Sequence, residues 1–167
     1  MSSTAIVPAD VDFPAKLAEW KRTNGANVND LTNAMRAAAA QDPGDGYEPE
    51  MTHHFIPDFY IRQMGARAGS LIVTKVHLTV HPLFISKGRC VVYDEETGGT
   101  FLVQAPFMTV TMPGTRRVIL VIEDALWTTM HRTDKTTVEE AEKEMVLDES
   151  AYLTDTDPKT YEPDYPN

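Results

Sequence analysis

Residues 69–131 read GSLIVTKVHLTVHPLFISKGRCVVYDEETGGTFLVQAPFMTVTMPGTRRVILVIEDALWTTMH. Short runs of apolar and β-branched residues alternate in this stretch with segments rich in Gly, Pro and acidic residues. The alternation predicts strands over residues 70–81, 89–93, 100–104, 107–111, 117–122 and 125–131. Strands that recur at intervals of about eight to twelve residues are typical of a β-sandwich or a β-barrel.

The composition is that of one globular domain with attached elements. The chain has 167 residues, of which 42% are hydrophobic, and this is enough for a single core. No apolar run approaches the ~20 residues that span a bilayer, and the first residues lack the pattern of a secretory signal. The single cysteine, Cys90, lies in an apolar run, so we expect a small buried side chain. These features favour an intracellular or virion-borne protein, without a membrane partner.

The charge is unevenly distributed along the chain. The net charge is −10, and residues 134–167 carry eleven acidic residues against three basic ones. Residues 51–133 carry eight basic and six acidic residues, but only Arg116 and Arg117 are adjacent. Proteins that bind a nucleic acid duplex usually present a clustered basic face. The sequence therefore predicts no nucleic-acid partner.

Two flanking regions differ in composition from the strand region. Residues 1–50 predict a helical arm followed by a linker, because a helix can begin near Asn29 or Asp30 and DPGDGYEPE follows at residues 42–50. Residues 51–133 then form the β-domain. Residues 134–167 predict a helix capped by Thr133 or Asp134, and after it an extended acidic tail.

The C-terminal region offers candidate contacts with partners. Val138, Ala141 and Met145 form a narrow apolar stripe that can pack on the barrel or on a partner. In the tail, the tyrosines recur beside prolines, and such side chains can anchor an extended segment in a groove of a neighbouring subunit. A solvated, disordered tail is the alternative. The candidate partner-binding residues are Tyr152, Tyr161 and Tyr165.

Several pieces of the strand region resemble a known family. The order GSLIVTKVH, SKG, APFMTVTMPGTRR and EDALWTTMH is similar to small cupin-like proteins encoded by tailed bacteriophages, and so is the preceding HxFxPxxYxR pattern at residues 54–62. The resemblance covers about residues 52–146. It implies a mainly β fold, a cupin-like double-stranded β-helix barrel, with both terminal arms outside it.

The resemblance also raises the question of a bound metal. Cupins that bind metal usually supply two histidines two residues apart, a carboxylate shortly after them, and a later histidine. Here His77 matches the first position, but Thr79 stands at the second and no acidic residue follows before Gly88. Where such proteins often carry the later histidine, this chain has Ile122. The candidate metal ligands that remain are His77, His81 and His131.

Strand geometry argues against these candidates. Residues two apart on a strand are ~6.6 Å apart along it, whereas His77 and His81 would be ~13 Å apart on a straight strand. Both rings could reach one ion only if the strand bent sharply near Pro82. Histidines on a strand are more often hydrogen-bonded structural residues than ligands. The sequence therefore favours a barrel without a cofactor, with a divalent transition metal as the alternative.

Two functions follow from these observations. The favoured one is a non-catalytic bacteriophage structural protein, a virion component whose barrel is an interaction platform and whose arms bind neighbouring subunits. Its partners would be other phage structural proteins or further copies of the chain as a homo-oligomer. The alternative is a metal-dependent cupin enzyme acting on a small molecule, with His77 and His131 joined by His81 or His54 at the metal. No catalytic residue set can be assigned from spacing.

Overall fold

The computed structural model describes residues 3–6, 28–29, 31–33, 48–95 and 97–148. These residues form eight strands and one complete helix, the C-terminal helix Val138–Met145. Residues 28–29 and 31–33 are also helical, and they are called the N-terminal helical segment below. The strands are β1 Ser3–Ile6, β2 Glu50–Ile56, β3 Phe59–Ala66, β4 Ser70–Val73, β5 His81–Asp94, β6 Thr100–Gln104, β7 Phe107–Thr111 and β8 Arg117–Arg132.

All eight strands join one antiparallel sheet that is organised around β5 and β8. These two long strands pair with each other over most of their length. The edge of β8 that faces away from β5 pairs with β4 near the start of β8 and with β3 near the end of β8. On its other edge β5 pairs with β7 first and β6 second. β1 extends the sheet from β4, and β2 extends it from β3.

The sheet curls around its largest apolar cluster, and this curled sheet is the barrel of the following sections. One cluster of buried side chains joins five strands, because Ala66, Ile72, Cys90, Val103 and Trp127 lie on β3, β4, β5, β6 and β8 respectively. The alternate residues Leu71 and Val73 of β4 are buried in a second cluster, since successive residues of a strand point to opposite faces. The mainly β fold expected from the sequence is confirmed. Cys90 is fully buried, as its apolar neighbours indicate.

The prediction of strand boundaries is correct for the short strands and wrong for the long ones. β6 and β7 have the predicted limits, residues 100–104 and 107–111. The predicted strand over residues 70–81 ends at Val73, and β5 begins at His81. The predicted strand over residues 89–93 is therefore only the second half of β5. Residues 117–122 and 125–131 form one continuous strand, with Glu123 and Asp124 inside it.

The C-terminal helix begins later than the sequence indicates. Its N-cap is Thr137, whose side chain accepts a hydrogen bond from the backbone N–H of Glu140, so neither Thr133 nor Asp134 caps it. Thr133 has another role, since its hydroxyl group donates to Glu144 at 2.8 Å. The predicted packing on the barrel is confirmed, because Ala141 and Met145 are buried in one cluster with Tyr60 of β3.

The N-terminal helical segment packs in a different cluster from the C-terminal helix. Val28 is buried against Leu71, Tyr93 and Val118. Arg116, which is 3% exposed, holds the segment by donating to Asn29 and to Thr32. The segment agrees with the helix predicted from Asn29 or Asp30, although the rest of that helix, most of the linker and Tyr152, Tyr161 and Tyr165 lie outside the described residues. Among the described helices, none is long and apolar enough to cross a membrane.

Candidate functional site

Three histidines from separate parts of the sequence meet inside the barrel. The ring centroids of His81 and His131 are 4.1 Å apart, those of His77 and His81 are 4.5 Å apart, and those of His77 and His131 are 6.3 Å apart. All three side chains are buried. The structure therefore brings together the three residues that the sequence identifies as candidate ligands.

The distance argument against this cluster is wrong because its premise of a straight strand is wrong. After Val73 the chain leaves the sheet, and His77 makes only an isolated bridge, to Val146 just after the C-terminal helix. Its N–H donates to Thr115 and its carbonyl group accepts from Gly114. The segment returns to the sheet at His81, beside Thr111 of β7. This detour places the His77 and His81 rings in contact instead of a strand's length apart.

A backbone hydrogen bond fixes the tautomer of His81. Its Nδ1 lies 2.9 Å from the carbonyl oxygen of Thr79. A carbonyl oxygen only accepts, so Nδ1 carries the proton and Nε2 carries the lone pair. This arrangement is common in histidines that bind metals, which usually donate their other ring N–H to a backbone carbonyl or a carboxylate.

The other two rings have nitrogen atoms without hydrogen-bond partners. Among the described residues, no group bonds to Nδ1 of His77 or to either nitrogen of His131, and these atoms are buried. An unsatisfied polar group in a protein interior costs about 1–3 kcal/mol. Such atoms mark a place where a bound species would stabilise the folded protein.

The environment keeps the three imidazoles neutral. Burial is the main cause that lowers the pKa of His131 to about 3, and the neighbouring His81 and Arg62 lower it further. Burial likewise lowers the pKa of His77 well below its usual value, with His81 and Arg62 as additional causes. The pKa of His81 is lowered by burial in spite of its bond to the Thr79 carbonyl. Neutral imidazoles have the lone pairs that metal binding requires.

The donor set fits a transition metal, and the ring orientations need adjustment. Two imidazoles that bind one ion at about 2.1 Å have centroids about 4.5 to 6 Å apart. The observed spacing of 4.5 Å lies in this range, whereas those of 4.1 and 6.3 Å lie just outside it. In their present orientations, no three His, Cys, Asp or Glu side chains among the described residues surround a common point. Rotation about χ2 of histidine is a soft motion. His77, His81 and His131 are the side chains that would hold the ion.

A cavity of about 130 Å³ opens beside the cluster and is lined by His77 and His81. Most of its wall is apolar, with Phe101, Phe107 and Trp127 as the large aromatic contributions. Thr129 adds a buried hydroxyl group that has no hydrogen-bond partner among the described residues. The cavity therefore combines an apolar wall with polar groups near the imidazoles, as small-molecule sites usually do.

Three cationic side chains line the same cavity, and its described lining includes no acidic residue. Arg117 lies 3.4 Å from Asp94 and 3.2 Å from the hydroxyl group of Thr111. The other two cations, Arg62 and Lys75, share Glu142 of the C-terminal helix at 3.4 and 3.5 Å. These contacts are long for charge-assisted hydrogen bonds, which are usually about 2.7–2.9 Å.

Sequence reasoning missed these cationic residues. Arg116 and Arg117 are adjacent, and successive residues of an extended chain point to opposite sides. Arg116 therefore contacts the N-terminal helical segment while Arg117 lines the cavity. The alternation was visible in the sequence, but which side faces the interior depends on the register of β8. His54, the other histidine considered for a metal, is exposed on β2.

The comparisons with known proteins find similar folds without sequence relatives. No protein-family model matches the chain, and the search of curated proteins found no match. Among solved structures, an RmlC-like cupin family protein with a double-stranded β-helix fold from Methanocaldococcus jannaschii is 12% identical with a TM-score of 0.43. The alignment covers 53% of this chain and 84% of that one.

Two further solved structures have similar sequence identities and TM-scores to this chain. A cupin-2 domain containing protein from Shewanella frigidimarina is 12% identical with a TM-score of 0.41, and the alignment covers 68% of this chain and 99% of that one. An acetylacetone dioxygenase from Acinetobacter johnsonii is 15% identical with a TM-score of 0.40, with 50% of this chain and 58% of that one covered. Similarity at this level concerns the arrangement of strands and does not extend to activity.

Proposed function

We propose that the barrel binds a divalent transition metal at His77, His81 and His131, as part of a site for a small molecule. The observation that carries this proposal is the contact of three buried, neutral imidazoles whose unpartnered nitrogens lie beside a cavity. It favours the metal-dependent alternative over a barrel with a purely structural interior. When bound, the metal would act as a Lewis acid toward an oxygen atom of the ligand.

The protein's own side chains would prepare the site in three ways. The Thr79 carbonyl holds His81 with Nε2 available for coordination. Burial keeps the rings deprotonated at neutral pH. The mostly apolar wall, which includes Trp127 and Phe107, would lower the local dielectric constant and strengthen electrostatic interactions in the cavity.

Metal content provides the test of this proposal. Protein without a histidine tag would be incubated with Zn²⁺, Co²⁺, Mn²⁺ or Fe²⁺, desalted, and measured by elemental analysis. We expect about one ion per chain for at least one metal, and a loss of binding of at least ten-fold in His81→Ala. His54→Ala removes an exposed histidine and is the matched control. Absence of bound metal in the folded wild-type protein, or equal binding by His81→Ala and wild type, would contradict the proposal.

An interaction platform is a second candidate function, and one surface feature favours it. Large exposed apolar side chains lie on β6, on β7 and at the residue after β7, at one side of the sheet. This set of side chains is called the apolar edge. β6 and β7 pair only with β5 among the described strands, so their outer edges have no strand partner there. Residues 100–112 contain no charged residue. The members of the apolar edge are Phe101, Leu102, Phe107, Met108, Val110 and Met112.

We propose a second copy of this chain as the occupant of the apolar edge. An unpaired strand edge is a template for further pairing, and two copies can offer each other the same surface around a two-fold axis. Because the edge is uncharged, the net charge of −10 does not place like charges directly against each other there. A more specific version of this second candidate is a virion component whose partners are other phage structural proteins.

A further inference from the structure

The cavity beside the histidine cluster has an excess of positive charge. Its lining contributes three cations, Arg62, Lys75 and Arg117. Two carboxylates reach these cations, Glu142 to the first two and Asp94 to the third. Among these three cations and two carboxylates, one positive charge remains without a counter-charge. A metal ion would add to this excess. A partly buried site with uncompensated positive charge favours an anionic ligand.

Arg117 itself is paired with Asp94. The excess charge therefore lies with Arg62 and Lys75, which share Glu142. Arg117 nevertheless keeps N–H donors for that anion. Its side chain is 17% exposed. Its hydrogen bonds to other described residues use Nε, toward Asp94, and Nη1, toward Thr111. A guanidinium group has five N–H donors, so donors remain for a ligand. The planar group matches the two oxygens of a carboxylate better than a lysine ammonium does.

The other residues of the cavity wall indicate the size and polarity of the uncharged part of the ligand. Apart from its cations and imidazoles, the cavity is lined mainly by aliphatic and aromatic side chains, including Leu83, Ile119 and Trp127. The volume of about 130 Å³ is slightly smaller than a protein cavity of about 150 Å³ that holds benzene. About six non-hydrogen atoms at most would therefore fill its enclosed part. A sugar or a nucleotide would leave many hydroxyl groups against this apolar wall.

We propose that the ligand of the barrel is a small monocarboxylate with an apolar body, whose carboxylate binds Arg117 beside the three histidines. This inference rests on the proposed function for the location of the site, and it specifies the class of ligand. It assigns Arg117 as the residue that distinguishes a charged ligand from a neutral one of the same shape.

The test compares pentanoate with pentanamide, which have similar shapes and differ in charge, by isothermal titration calorimetry on the full chain. We expect pentanoate to bind at least about ten times more tightly, because a hydrogen bond to a charged group contributes about 1.5–3 kcal/mol. Arg117→Met should remove most of this preference while pentanamide affinity changes by less than about two-fold. Arg89→Met is the matched control, because Arg89 pairs with Glu123 at the surface, 3.2 Å away.

Titrations of chelator-treated and of Zn²⁺-loaded protein separate this inference from the metal proposal. A preference for pentanoate that depends on Arg117 in protein that binds no metal would support the anion site and contradict the metal site. Equal affinities for pentanoate and pentanamide in wild type, or no binding of either, would overturn the anion site even if one metal ion binds per chain. The wild-type comparison remains decisive if Arg117→Met does not fold, since the ion pair with Asp94 is lost in that variant.

Discussion

His131 shows how burial changes the chemistry of a single residue. Its side chain is 2% exposed, and neither of its ring nitrogens has a hydrogen-bond partner among the described residues. Alone, such a ring would only destabilise the fold. Beside His77 and His81 it would complete the set of three donors of the proposed metal site. The sequence identified all three residues, but their contact depends on a detour of the chain that no spacing rule predicts.

The metal-free protein should lose stability as the pH falls below about 6.5. The unfolded chain binds protons at its histidines near this pH, whereas the pKa of His131 in the folded protein is about 3 and that of His77 is also well below its usual value. The unfolded state therefore binds more protons, and stability rises with pH in this window. Each such histidine contributes at most about 1.4 kcal/mol per pH unit.

Urea unfolding of the chelator-treated protein between pH 7 and pH 5 measures this slope. His131→Gln should reduce it by about 1 kcal/mol per pH unit, because the full slope of about 1.4 kcal/mol per pH unit is reached only well below pH 6.5. His54→Gln, at an exposed position of β2, serves as the control. A free energy of unfolding that does not change over this range would show that the histidines are not held neutral.

The bulge in β5 lets this strand pair with β8 over most of its length. The register between the two strands shifts at Lys87 and again at Arg89, and Gly88 lies between them with φ of +92°. A β-carbon at Gly88 would lie 2.5 Å from the carbonyl oxygen of Asp124 and 2.6 Å from Cα of Ala125. Only glycine permits so close an approach of the two backbones.

Gly88→Ala should therefore be far more destabilising than a glycine replacement at an open position. Gly98 also has a positive φ, +65°, but a β-carbon there would meet nothing within 4 Å. We expect Gly98→Ala to cost about 1–2 kcal/mol from the backbone conformation alone. Gly88→Ala should cost about 2 kcal/mol more, because overpacking adds to the same strain. Chemical denaturation of both variants measures the difference, and equal losses would contradict the close approach seen at the bulge.

The strands differ in how well sequence patterns predict them, for a physical reason. β6 and β7 are bounded by Gly98-Gly99, by the Ala105-Pro106 pair and by Pro113, so their ends are encoded locally. β8 continues through Glu123 and Asp124, which resemble a turn in the sequence. Its continuity comes from partners on both edges, β5 on one side and β3 or β4 on the other. Such partners are distant in sequence, and a local pattern does not contain them.

The charge of the protein differs between its surfaces, and so does the kind of ligand or partner that each surface could bind. The formal net charge is −10, yet the cavity is lined by cations and the apolar edge carries no charge. The sequence predicted the acidic flanks and the mainly β domain from composition and pattern. It could not predict which side of each strand faces the interior, because that depends on the register of the whole sheet. The cationic cavity and the apolar edge both follow from register.

Self-association through the apolar edge is expected in solution. Leu102 and Met108 are 60% and 63% exposed, and a charge at both positions should convert a dimer to a monomer, because the charges would be buried against their copies. Light scattering during size-exclusion chromatography of Leu102→Glu/Met108→Glu measures the change. Val80→Glu, at an exposed position outside the edge, is the control. A wild-type chain that stays monomeric at high concentration would contradict this use of the edge.

The position of a bound metal is the most direct measurement of the central proposal. A crystal of the full chain grown with Co²⁺ would be measured on both sides of the cobalt absorption edge. We predict one strong anomalous peak within about 2.2 Å of a nitrogen atom from each of His77, His81 and His131. A map without a peak among these three rings, or with cobalt only at exposed residues such as His54, would contradict the assignment of this cluster as a metal site.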